Sequence, residues 1–132
     1  MKPIMQDNHL FEYAILRVVP RVEREEFLNV GVVIYCKSQQ FLQVIFTLDE
    51  PRLIALFPDV AIEEVRQHLQ AFEQISIGNP AGGPIASLDM ASRFRWLTAR
   101  RSTVLQTSAV HPGFCKNAKD TLKQLHKQLV LS

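Results

Sequence analysis

The run Tyr13-Ala-Ile-Leu-Arg-Val-Val19, followed after Pro20–Glu26 by Phe27-Leu-Asn-Val-Gly-Val-Val-Ile-Tyr35, decides the fold. Both runs are rich in β-branched and aromatic residues, and Pro20 and the polar turn Lys37-Ser-Gln-Gln40 bound them as strands. A third such run, Phe41–Leu48, comes directly after that turn. So short a connection predicts an antiparallel hairpin, because a parallel pairing needs a crossover of about a dozen residues. The charged segment between the first two runs suits a connection or one short helical turn.

From Asp49 the period changes. Asp49-Glu50-Pro51 is an acidic opening with proline in the first turn, and Arg52–Phe57 reads as a short helix ended by Pro58. Asp59 is placed to cap a second helix, where Ile62, Val65, Leu69 and Phe72 recur at spacings of 3, 4 and 3 on one face. Gly78-Asn-Pro-Ala-Gly-Gly-Pro84 is a loop. Met90, Phe94 and Leu97 mark a shorter helix, Thr103–Ser108 a fourth strand and His111-Pro-Gly113 a turn. Ala118, Leu122, Leu125 and Leu129 form the apolar stripe of a last helix. The expected fold is α+β: a small, mainly antiparallel sheet of three N-terminal strands plus a later one, with helices packed on one face. Residues 1–10 are expected to be a flexible arm and 11–131 a single domain, since the part beyond the glycine loop is too small to bury a core unaided.

Composition narrows the class. Of 132 residues, 47% are hydrophobic and 21% charged, which supports a real core and excludes disorder. The longest apolar run, Val30–Tyr35, is far short of the ~20 residues a membrane span needs, so no membrane partner is expected. The first ten residues carry Lys2, Asp7 and Asn8 and no apolar leader core, which points to the cytoplasm. Cys36 and Cys115 lack CxxC spacing and read as free, buried thiols, with a disulfide between them left open. The four histidines share no ligand spacing, and neither a metal nor a cofactor is expected.

Charge is divided along the chain. Residues 1–92 hold seven Lys/Arg against twelve Asp/Glu, a net of −5. Residues 93–132 hold eight Lys/Arg against Asp120 alone, a net of +7. Either the two parts complement each other within the fold, or the basic part meets an anionic partner.

Three constellations are candidates for chemistry. Arg17 shares a strand face with Tyr13, Ile15 and Val19, and a cation on an apolar face needs a partner. Glu26 and Asn29 are placed to supply one, and Gly31 suits a bulge or a close backbone approach. The group is either a hydrogen-bonded strand junction or a pocket for a carboxylate or phosphate, with Arg17 as the fork donor. In Arg93-Phe-Arg-Trp96, a helix would put Arg93, Trp96 and Arg100 on one side. Together with Arg95 these suit nucleic acid, by phosphate contact and base stacking, or else form a structural tryptophan covered by arginine stems. Lys116, Lys119, Lys123 and Lys127 make a basic stripe on the last helix, either a solvated face or an extension of that surface. No GxSxG, Walker, GxGxxG or HExxH signature is present.

Tyr13-x-Ile-x-Arg-x-x-Pro20, then Glu26-x-x-Asn-x-Gly-Val32, and later Arg93-Phe-Arg-Trp96 resemble a bacterial domain-of-unknown-function family over most of residues 11–130. The resemblance carries over Tyr13, Arg17, Pro20, Glu26, Asn29, Gly31, Arg93 and Trp96 as motif residues. It implies an accessory role, since members are often encoded beside a HipA-like kinase. The leading expectation is a non-enzymatic binding or regulatory module that docks a protein partner, with a HipA-like kinase as the partner implied by the resemblance. One alternative is a nucleic-acid-binding protein using Arg93, Arg95, Trp96, Arg100 and the lysines. The other is an enzyme acting on an anionic substrate, oriented by Arg17 with Glu26 as acid or base.

Overall fold

Alternation along the strands sends apolar side chains to both faces of the sheet, and both faces need cover. The computed structural model describes residues 8–131. Its strands are β1 (His9–Val18), β2 (Leu28–Cys36), β3 (Phe41–Phe46), β4 (Leu105–Thr107) and β5 (His111–Cys115). Its helices are α1 (Glu50–Leu56), α2 (Ile62–Ile77), α3 (Met90–Leu97) and α4 (Ala118–His126), the last running into a π-helical turn, Lys127–Leu131. All strand pairings are antiparallel. The order is β3-β2-β1, and β4 and β5 lie end to end along the outer edge of β1.

One face gathers Ala14, Leu16 and Val18 with Leu42 and Val44 beneath Leu53 of α1, Val65, Leu69 and Phe72 of α2, and Phe94 and Leu97 of α3. The other gathers Phe11, Val32, Ile34 and Cys36 with Cys115 of β5, beneath Ala118 and Leu122 of α4. Leu16, Leu53, Leu97 and Leu122 are almost fully excluded from water, each contributing roughly 1.5–3 kcal/mol by burial. The α+β class and the mainly antiparallel sheet are as the sequence indicates. Helices α1 to α3 form the expected layer on one face, and α4 adds a layer on the other.

Val30 and Val33 are three residues apart yet belong to the same cluster. The register explains it: Leu16 opposes Gly31 and Arg17 opposes Asn29, so Val30 is an extra residue that switches the facing of β2. A Cβ on Gly31 would lie 2.8 Å from both the Ile45 carbonyl oxygen and Phe46 Cβ. Of the two roles anticipated for Gly31, the close backbone approach is the one it fills, and the bulge falls on its neighbour Val30.

The remaining differences have physical causes. The arm expected over residues 1–10 falls mostly outside the described residues, and its last two, His9 and Leu10, already pair with Cys115 and Phe114. The turn expected at His111–Gly113 is instead the start of β5. Pro112 is tolerated there because the strand lies at an edge, and Gly113 leaves space for the Phe11 ring, 2.6 Å from where a Cβ would sit. Between β4 and β5, Ser108 continues the ladder: its N–H donates to the Ile15 carbonyl and its Oγ accepts from the Ile15 N–H, both at 2.8 Å. Asp49, the first residue of the acidic opening, caps α1 by accepting from the Arg52 N–H. Asp59 does not cap α2, which starts after Ala61. It lies instead in a turn closed by the Val60 N–H to the Phe57 carbonyl. Among the described residues no helix is long and apolar enough to cross a membrane.

Candidate functional site

The structure separates the residues that the sequence groups. Arg17 and Asn29 are cross-strand neighbours, but no hydrogen bond joins them. The Arg17 guanidinium lies over the Phe27 ring at 4.1 Å. Arg17 Nε and Asn29 Oδ1 are both buried without a hydrogen-bond partner among the described residues, while Asn29 Nδ2 donates to the Leu129 carbonyl at 3.3 Å. Glu26 is not the partner of Arg17, because it accepts from Arg24 Nε.

The second constellation also divides. Arg93 turns inward: its Nη1 donates to the Leu88 carbonyl at 2.7 Å and its guanidinium packs on Gly78, fastening the start of α3 to the end of α2. Arg95 is exposed on α3. Arg100 does not share a helical side with Trp96, since α3 stops at Leu97 and Arg100 lies beyond its cap. Arg101 takes that place, with its guanidinium 4.3 Å from the Trp96 ring centroid and Nη2 donating to the Trp96 carbonyl. Lys119 and Lys123 of the lysine stripe are on α4, across the sheet from α3, with Lys116 just before that helix and Lys127 in the π-helical turn. The two basic groups thus do not form one surface.

A groove of about 680 Å³ opens where three connections meet. They are the link from β1 to β2, the link from α1 to α2, and the segment Ser102–Val104 leading to β4. The first link needs only a 3-10 turn, Val22–Arg24, and every residue from Arg21 to Phe27 is exposed. Val22 and Leu56, 45% and 54% exposed, give the groove an apolar lining. Arg21 and Arg24 stand along one wall, Asp59 and Glu64 along another.

The basic wall is already neutralised. Arg21 Nε donates to Glu23 at 3.1 Å, and Arg24 binds Glu26. The hydrogen bond from Arg24 holds the Glu26 carboxyl below its ordinary range, and Glu23 is lowered by a backbone hydrogen bond and then by Arg21. The acidic wall is not neutralised. Asp59 has no ion-pair partner among the described residues, and Glu64 reaches only His68 Nε2, at 3.8 Å. A carboxylate with lowered proton affinity is a poor general acid or base near neutral pH, which leaves Glu26 unsuited to that role. Thr103, a hydroxyl in the lining, donates to the Leu105 carbonyl at 2.7 Å rather than to a base. Among the described residues, no three His, Cys, Asp or Glu side chains converge as a metal ion would require. The groove therefore presents an apolar lining flanked by two carboxylates that no lysine or arginine pairs with among the described residues.

Of the candidate site residues Arg17, Glu26, Asn29, Arg93, Arg95, Trp96 and Arg100, only Glu26 lines this groove, beside the motif residue Pro20. Asp59 is visible in the sequence as a helix cap, and Glu64 as one more charge on a solvated helix face. The family described as "Protein of unknown function (DUF3037)" matches residues 13–130. No curated protein and no solved structure matches the chain. With that match running from the first strand to the π-helical turn, the chain belongs to the DUF3037 family.

Proposed function

We propose that the protein is a non-enzymatic docking module that takes a segment of a protein partner into the groove between Val22, Leu56 and the Asp59–Glu64 wall. The observation that carries this reading is the charge state of the two walls. The arginines are satisfied within the chain, whereas Asp59 and Glu64 await a counter-charge beside exposed apolar side chains. That pattern suits a partner segment bearing a lysine or arginine flanked by apolar residues: the apolar side chains supply affinity, and the charge fixes register. A HipA-like kinase, which the sequence resemblance implies, is the first partner to try.

The nucleic-acid reading has less support, because α3 and the lysines of α4 lie on opposite faces of the sheet. The enzymatic reading has less still, because Arg17 and Glu26 do not meet. The test is co-purification of tagged protein from its native host, with and without nuclease, beside an Asp59→Lys/Glu64→Lys variant. A stoichiometric protein that survives nuclease and is lost with the variant supports docking through the groove. Capture that the variant retains, or no capture at all, refutes it.

A further inference from the structure

A second cavity, of about 360 Å³, lies beside α2 and the end of α3 and shares Thr103 with the groove in its lining. Its size falls at the small end of the range for ligand pockets. Phe72, Ile75, Leu97 and Leu105, all core residues, form its apolar depth. Trp96, 38% exposed, and the guanidinium stacked on it form one side.

Arg101 is the unusual member. Arg21, Arg24 and Arg66 each bind a glutamate. Arg101 has no carboxylate within ion-pair distance among the described residues, and its one hydrogen bond goes to the Trp96 carbonyl. It is nonetheless drawn toward an apolar cavity, where loss of hydration alone lowers its pKa. A guanidinium has five N–H donors in a rigid fork, so most of them remain for another acceptor. Partial desolvation of a cation costs free energy that a counter-ion recovers.

We propose that this cavity is a binding site for a small anionic molecule with a flat, apolar body, of the aryl carboxylate or aryl phosphate class. The body lies against Trp96 and the apolar depth, and the anionic group sits on the fork of Arg101. The site is separate from the docking groove and does not depend on it.

Trp96 is the only tryptophan in the chain, so its indole N–H signal in a two-dimensional NMR spectrum reports on this cavity alone. Titrations with 2-naphthoate, 2-naphthyl phosphate and neutral 2-naphthylmethanol make the test. One or both anions should shift the indole signal saturably and bind about tenfold or more tighter than the alcohol, the factor one charge-assisted hydrogen bond supplies. The stronger of the two anions identifies the class. Arg101→Met should abolish the preference for an anion, and Arg101→Lys should keep part of it. An unmoved indole signal, equal affinity for the alcohol, or a preference that survives in Arg101→Met overturns the proposal. Should Arg101→Met fail to fold, the wild-type comparison of anion with alcohol and the lysine variant still decide it.

Discussion

Arg17 lays its guanidinium over Phe27, 4.1 Å from the ring centroid, and leaves Glu26 to Arg24. A cation–π contact at an exposed ring is worth about 0.5–1 kcal/mol. The buried Nε without an acceptor costs about 1–3 kcal/mol. The second term is at least as large, so Arg17→Met, which keeps the apolar stem, should unfold in urea within about 1 kcal/mol of wild type or at higher denaturant. A loss of more than about 2 kcal/mol would mean that Arg17 has a strong acceptor in solution.

Gly31 and Gly113 both sit where a Cβ would clash, but against different neighbours. At Gly31 the obstacle includes a backbone carbonyl of β3, which cannot move without breaking the sheet. At Gly113 it is the Phe11 ring, which can rotate. Gly31→Ala should cost about 2–3 kcal/mol and Gly113→Ala distinctly less, measured by chemical denaturation. Equal costs would show that Phe11 is as fixed as the backbone.

His126 is buried on α4 with Nε2 3.0 Å from Thr47 Oγ1. Burial holds its pKa below the ordinary 6.5, so the unfolded chain takes up the proton more readily than the folded one. The stability this provides is complete above pH 6.5 and is lost as pH falls toward the lowered folded value. The carboxylates with lowered pKa values, Glu23, Glu26 and Asp89, act below their ordinary 4.5, 4.5 and 3.8. Between these ranges, thermal melting should shift downward with acid in wild type and much less in His126→Gln. Parallel curves would remove His126 as the cause.

Asp59→Lys with Glu64→Lys should weaken partner capture by about tenfold or more while leaving the melting temperature close to wild type, because both side chains are exposed. Lys119→Glu with Lys123→Glu, on the other face, should leave capture unchanged. The reverse pattern would move the docking surface to α4.

Cys36 and Cys115 are free, at 0% and 7% exposure, and burial pushes the Cys115 thiol up. Native protein should react only slowly with a dithiobis-nitrobenzoate reagent, and both thiols should titrate at once in denaturant without reductant. Rapid labelling of one thiol in native buffer would reveal local opening around β5.

The first three strands were legible because each is a run of β-branched and aromatic residues bounded by Pro20 or a polar turn, and the turn at Lys37–Gln40 is too short for any pairing but antiparallel. The helix faces were legible for the same reason: Val65, Leu69 and Phe72 are buried where their spacing puts them. β5 was not. His111-Pro-Gly113 has the chemistry of a turn and becomes a strand only because β1 offers an unpaired edge. The site was less legible than the fold. Its walls come from three connections far apart in the chain, and no local spacing encodes their meeting. Trp96 was visible as an aromatic among arginines. Its actual partner, Arg101, lies past the end of α3, where helical periodicity no longer applies.

The placement of β1 bears on how the chain is made. It pairs with β2 soon after both are synthesised, but its other edge waits for residues 105–115, with His9 finally meeting Cys115. During synthesis, β1 must therefore persist as an open edge while most of the chain emerges. Closure over so long a separation favours slow refolding even for a small protein. A chain cut before Leu105 would keep that edge permanently, exposing a ready template for foreign strands.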